Sequence, residues 1–407
     1  MKAARWALLG SLLAVALTPA VFAEDLSDFA RQAATGNATA VKALRDAGPA
    51  GMEALLKLAS AEPAVAKQPA FDAALDAVCA QKDCAASHLY WYTDLNAARE
   101  AAQRSSKPIL SLRLLGRLDE ELSCANSRFF RAVLYANERV SQELRDRFVL
   151  HWQSERPVPK VTIDFGDGRR LVGTVTGNSI HYILDANGRL VDALPGLYGP
   201  ASFLRHLGEA AEEARALAAV PGDAYPGRLA KYHQQRIVLQ TRELKADLRQ
   251  VGLGGPAAAG ETRPTAMAAS RLAVSKSAVE IPLLHALLPD LGESEAAKLS
   301  LLAGLHPEAS RLDAASRRLL LAKGGAWVNG DDGALDRFEE KIAEDTVRNE
   351  YQLHNQIHSW LARITEAPEL RYFDERVYSE LFLTPPSDPW LGLGPTEVFS
   401  VLTPAGK

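Results

Sequence analysis

The sequence predicts an α/β central domain between mostly α-helical N- and C-terminal regions. Three observations carry this reading. From Leu89 to Leu207, short apolar runs at strand spacing alternate with segments whose apolar residues recur every three or four positions. Before that stretch the chain is Ala-rich and only the helical period is seen, and from Ala266 to about Phe382 the helical period returns. Clusters of Gly, Pro, Asn and Asp punctuate the central runs as turns would.

At 407 residues the chain is long enough for two or three domains with ordinary cores. A charged fraction of 24% beside 47% hydrophobic residues fits globular protein and argues against global disorder. The net charge of -4 is spread over interspersed acids and bases, so no basic stripe points to nucleic acid.

Residues 1–23 have the layout of a signal peptide. Lys2 and Arg5 give a positive start, Trp6 to Leu17 a short apolar run, and Val21-Phe22-Ala23 a small-residue cleavage motif before Glu24. The run is short for a membrane span, and no later segment is apolar enough for one, so no transmembrane segment is expected after signal removal. Export would place the chain where disulfides persist. Cys79 and Cys84, separated by Ala-Gln-Lys-Asp, either close a small loop, if their Cα atoms come within about 7 Å, or remain two free thiols. Cys124 has no obvious intrachain partner in either case.

Residues 24–87 read as a helical region of two or three short antiparallel helices. Leu26, Phe29 and Ala33 begin an apolar stripe that Val41, Leu44, Met52, Leu55 and Leu56 continue, and Gly48-Pro49 stops one helix and starts the next. The α/β domain is expected over 88–219. It opens at Leu89-Tyr90-Trp91-Tyr92, and Asp94 is an N-cap for a helix to about Arg104. Pro108 disfavours helix at Lys107, and Ile109 to Leu115 is apolar enough for a central strand. A loop from Gly116 to Ser123 leads to Cys124 and a helix carrying Phe130, Val133 and Leu134. A second helix covers about Glu138 to Arg145, and Phe148 to Trp152 is the next strand. Val161–Phe165 and Arg169–Val175 read as a hairpin over Gly166-Asp167-Gly168. Ile180–Leu184 and Arg189–Leu194 read as another, turning at Asn187-Gly188. Gly199-Pro200 opens the last helix of the domain.

Residues 220–264 read as a boundary, a long charged helix from Arg228 to Arg249 with Ile237, Leu244, Leu248 and Val251 on one side, and a Gly/Ala/Pro-rich linker from Gly252 to Pro264. Residues 265–407 read as an α-helical C-terminal domain with an extended tail, in which Trp390 suggests an arm packed on the body.

Three blocks of the central domain carry a resemblance to exported bacterial proteins of the thioredoxin superfamily. Trp91 to Leu110 is similar to their leading helix and first core strand. Cys124-Ala125-Asn126-Ser127, with Asn137 to Val140 and Arg147 to Val149, is similar to the active-site helix and the strand after it. Ser179 to Gly188 resembles the closing hairpin. The resemblance implies a thioredoxin-like fold, a periplasmic or extracellular location, and Cys124 at the position of the attacking thiol. Ser127 stands where the family keeps its resolving cysteine, so a mixed disulfide on Cys124 would need another thiol for release. Ser179 stands where the family has a cis-proline, and a trans bond is expected there because a cis bond before a non-proline residue costs about 3–4 kcal/mol. A thiol at a helix start sees the positive dipole end, and Arg128 and Arg131 follow, both favouring thiolate. Asp119, Glu120 and Glu121 oppose it unless they cap the helix.

His354 and His358 lie four apart on one helix, with Glu350 a turn earlier, a spacing that can hold a transition metal. The alternative is a pair of boundary histidines beside a core stripe of Leu353, Ile357, Trp360, Leu361 and Ile364. His151, His181 and His206 fall in the central domain, where one of them would have to touch Cys124 to act as its base. Gly252-Leu253-Gly254-Gly255 follows a helix instead of a strand, contrary to a phosphate loop, and no cofactor is expected. The expected function is monothiol exchange or partner capture through Cys124, with an unknown protein or small thiol as partner. The alternative is a non-catalytic scaffold on the same fold.

Overall fold

The computed structural model of the chain describes residues 19–174, 177–253, 293–329 and 333–388. The expected signal segment up to residue 18, most of the expected linker and the expected Trp390 arm lie outside the described residues. Two compact units divide between Val78 and Cys79. Among the described residues, no helix is long and apolar enough to cross a membrane.

The first unit holds helices α1 (Pro19–Ala34), α2 (Ala38–Asp46) and α3 (Pro49–Ala61), and most of α4 (Pro69–Cys79). Asn37 caps α2 by accepting from the N–H groups of Thr39 and Ala40, at 3.0 and 3.1 Å. Ala30, Ala33, Leu44, Leu55 and Leu75 are buried and form much of its interior. Gly51 lets α3 press on α2, because a β-carbon there would collide with the Leu44 carbonyl.

The second unit is built on a five-stranded sheet ordered β1-β3-β2-β6-β7. The strands are β1 (Trp91–Tyr92), β2 (Ile109–Leu115), β3 (Val149–Arg156), β6 (Ile180–Leu184) and β7 (Leu190–Pro195). β1 and β2 both run parallel to β3, with Trp91 beside Leu150 and Ile109 beside Val149. β2 is antiparallel to β6, and β6 to β7, with Leu110 opposite Ile183 and Ile183 opposite Asp192. Every residue of β2, β6 and β7 is buried, as expected of strands covered on both faces. β4 (Lys160–Asp164) and β5 (Arg170–Thr174) form a separate, largely exposed hairpin, turned through positive φ at Gly166 and Gly168.

The helical turn α5 (Cys84–Ser87) precedes β1, and α6 (Leu95–Ser105) joins β1 to β2. Asp94 caps α6 through the Ala97 N–H at 2.7 Å. Between β2 and β3 lie α7 (Ala125–Phe129), continued by a π turn (Phe130–Leu134), and α8 (Glu138–Arg147). α9 (Pro200–Ala218) crosses β6 and β7 and presents Phe203, Leu207 and Ala211 inward. The long helix α10 (Tyr225–Gln250) begins earlier than the prolines of 220–226 suggest, because Pro226 sits in its first turn, where its missing N–H costs nothing. Then come α11 (Glu293–Ala303), α12 (Ala314–Asn329) and α13 (Ala334–Arg348). A π turn (Asn349–His354) leads to α14 (Asn355–Leu361), which packs along α10. α15 (Leu370–Arg376) ends in a further π turn (Val377–Leu381).

Cys79 and Cys84 form a disulfide, with Cα atoms 6.4 Å apart. Two indoles grip the loop it closes. Trp91 Nε1 donates to Gln81 Oε1 at 2.7 Å, and Trp152 Nε1 to the Ala80 carbonyl at 2.8 Å. These bonds tie residues 80 and 81 to β1 and β3. They give a physical reason why the division falls at Val78 and not at the expected 87/88 boundary.

Candidate functional site

Cys124 ends the loop after β2 and is itself the N-cap of α7. Its Sγ accepts the Ser127 N–H at 3.4 Å, the bond a capping side chain makes to an unpaired first-turn donor. The upstream acids therefore do not cap this helix. Asp119 and Glu120 pair with Arg117 at 2.6 and 3.7 Å, and Glu121 pairs with Lys323 at 2.9 Å. Arg131 is also committed elsewhere, at 3.1 Å from Asp83 and 3.9 Å from Glu121, and Arg128 donates to Thr174 Oγ1 at 2.8 Å.

The thiol is enclosed. Cys124 is 0% exposed, as is Ser127, whose hydroxyl accepts from Ser123 Oγ at 2.9 Å. Ser179 Oγ lies 3.6 Å from Sγ, and no described peptide bond, including the one before Ser179, is cis. Gly177 closes on the thiol so tightly that a β-carbon there would collide with Cys124 Cβ and lie 3.1 Å from Sγ. Gly177→Ala should destabilise the protein by about 1–3 kcal/mol through overpacking, read as a lower denaturant midpoint. An unchanged midpoint would mean that the segment moves aside freely.

Residues 378–384 cover the same segment. Tyr378 OH donates to the Asn178 carbonyl at 3.2 Å, and Asn178 Nδ2 to Thr384 Oγ1 at 3.2 Å. Burial first, then the charges of Asp374 and Glu155, push the Tyr378 phenol up.

The three central histidines have other partners. His151 Nδ1 lies 2.8 Å from Ser111 Oγ, and burial followed by Arg113 lowers its pKa to about 3. His181 Nε2 lies 2.7 Å from Tyr135 OH, its ring between Phe130 and Phe203, and burial lowers it to about 3. Both rings are neutral at physiological pH. His206 Nε2 meets Glu350 Oε1 at 3.0 Å.

His354 and His358 are buried on neighbouring turns, and the fold brings Asp192 of β7 and His233 of α10 to them. Glu350 does not join this group, being held by Ser202, Arg205 and His206. Burial alone would raise the Asp192 carboxyl, but the adjacent His354 and His358 outweigh it and hold it well below the usual carboxylate range. Sequence reasoning missed Asp192 and His233. The available signal was a carboxylate set between Leu190-Val191 and Ala193-Leu194, in a run otherwise fit for a core strand.

No protein-family model, no curated protein and no solved structure matches the chain.

Proposed function

We propose that this is an exported protein in which a thioredoxin-like domain serves as a non-catalytic scaffold, with Cys124 as a core sulfur. The observation that carries this reading is the complete enclosure of Cys124 beneath Gly177, Ser179 and the 378–384 segment. Thiol exchange needs a partner's sulfur in line with the attacking one, and a thiol without access cannot supply that geometry. Support for the fold comes from the strand order β1-β3-β2-β6-β7, with β1, β3 and β2 parallel and β6 and β7 antiparallel, and from a cysteine opening the helix after β2. Export rests on the composition of residues 1–23 and on the Cys79–Cys84 bridge, a bond that persists in oxidising compartments.

One observation favours the exchange reading. The Ser127 N–H already points at Sγ, which is how a helix start stabilises a thiolate. On that reading the 378–384 segment must first lift away. Labelling of native protein with a maleimide separates the two. The scaffold reading expects Cys124 to stay unmodified until denaturant is added. Rapid labelling of the native chain, together with capture of a small disulfide that Cys124→Ser abolishes, would overturn it in favour of exchange.

A further inference from the structure

We propose that Asp192, His354 and His358, with His233 beside them, bind one divalent transition-metal ion, with zinc the best match. The ligand atoms of the first three all lie within 4.8 Å of one another, and all three residues are buried. Asp192 Oδ1 is 3.0 Å from His354 Nε2 and 3.8 Å from His358 Nδ1. Around a tetrahedral ion with bonds of about 2.0–2.1 Å, donor atoms sit roughly 3.4 Å apart, so the observed separations straddle the required one. Two imidazoles and one carboxylate suit zinc or cobalt(II), and oxygen-seeking magnesium or calcium would not select them.

His233 lies against His358, outside the set of three whose donor atoms are mutually close. Its Nε2 lies 3.0 Å from the Val191 carbonyl, which can only accept, so that nitrogen carries the ring proton. The lone pair of neutral His233 is then on Nδ1, which faces His358 Nδ1 at 2.9 Å. Two such nitrogens face to face must share a proton or a cation. With an ion bound, His354 coordinates through Nε2 and His358 through Nδ1. Each ring keeps one proton, moved to His354 Nδ1 and His358 Nε2, the two buried nitrogens left without a hydrogen-bond partner.

Charge argues the same way. Asp192 is 2% exposed, and no guanidinium or ammonium pairs with it among the described residues. Arg236, on the same helix as His233, pairs with Glu209 at 2.6 Å. The other Asp192 contacts are neutral donors: Tyr232 OH to Oδ2 at 3.1 Å and the Ala193 N–H to Oδ1 at 2.8 Å. They orient the carboxylate as outer-shell partners of a metal ligand do. Three protein donors leave one position of a tetrahedral ion to water or another ligand. The ion would pin β7 to the π turn and helix that carry His354 and His358.

The test uses untagged full-length mature protein, stripped with a chelator, exchanged into chelator-free buffer and checked for folding by circular dichroism. Titration with zinc chloride should saturate at one ion per chain by elemental analysis after gel filtration, and should raise the thermal midpoint. Cobalt chloride should give visible absorption bands of a four-coordinate site. His358→Ala and Asp192→Asn should each weaken zinc binding more than about 100-fold. His306→Gln, which removes an imidazole paired with Asp247 and outside this cluster, should bind as the wild type does. Folded wild type that retains no zinc or cobalt overturns the proposal, whatever the variants do. So does stoichiometric uptake that survives the His354→Ala, His358→Ala double change.

Discussion

Replacing Arg113 by Met should cost about 3–5 kcal/mol at pH 8 and much less near pH 5. Arg113 is a central-strand cation, 6% exposed, with Nη1 3.5 Å from Glu155 Oε1. Glu155 in turn hydrogen-bonds Asp374, which also accepts from Tyr182 OH at 2.7 Å. Burial pushes Glu155 up and Arg113 pulls it back. Burial, then the Glu155 charge, carry Asp374 up to about 7. Without the guanidinium, two largely covered carboxyls face each other with no cation between them. They can remain there only by keeping protons, which mild acid supplies and pH 8 does not. Urea unfolding at both pH values checks this. Equal destabilisation at the two would show that Arg113 acts by packing alone.

The same pair sets a slope in the unaltered protein. The folded Asp374 carboxyl titrates near 7, and an unfolded aspartate near 3.8. Between those values the folded state holds more protons than the unfolded one, so stability falls as pH rises through the window. The full size of the effect is about 4 kcal/mol as an upper bound. Asp374→Asn keeps an acceptor for Tyr182 and should flatten the slope, which gives Arg113→Met its control.

Residue pattern and structure agree most closely where the signal is local. Ile109–Leu115 is apolar except at Ser111 and Arg113 and forms β2 over the same residues. Asn187-Gly188 turns β6 into β7 because Gly188 takes the positive φ that the turn needs. Asp94 caps α6 from the position where a short polar acceptor precedes the apolar stripe. Agreement ends where burial is polar. The stripe Ile237, Leu244, Leu248 and Val251 marked one face of α10, but the fully covered positions include Tyr232, His233, Arg236 and Gln240. Apolar periodicity cannot register a face whose partners include Asp192 and the His358 imidazole. The thiol shows the same limit. That Cys124 opens a helix could be read from its neighbours, while its cover comes from residues 378–384, far away in sequence and brought there only by the fold.

Trp91→Ala should be the most damaging single change, at about 3–5 kcal/mol for the cavity and a further 1–3 kcal/mol for the abandoned partner. Trp91 is 0% exposed, stacks obliquely on Tyr135 at 5.1 Å, and gives its indole N–H to Gln81 Oε1. Gln81 is equally buried, and its amide donates to Ser87 Oγ at 2.8 Å, so its oxygen would lose the partner the indole supplies. Trp91→Phe separates the two terms, keeping most of the ring and losing only the hydrogen bond. It should therefore cost about 1–3 kcal/mol. The loop gripped by this bond is the one closed by Cys79 and Cys84. Both variants should thus let dithiothreitol reduce the bridge faster under native conditions, Trp91→Ala more than Trp91→Phe. Reduction at the wild-type rate in a destabilised Trp91→Ala protein would mean that Trp152, through Ala80, holds the loop without help.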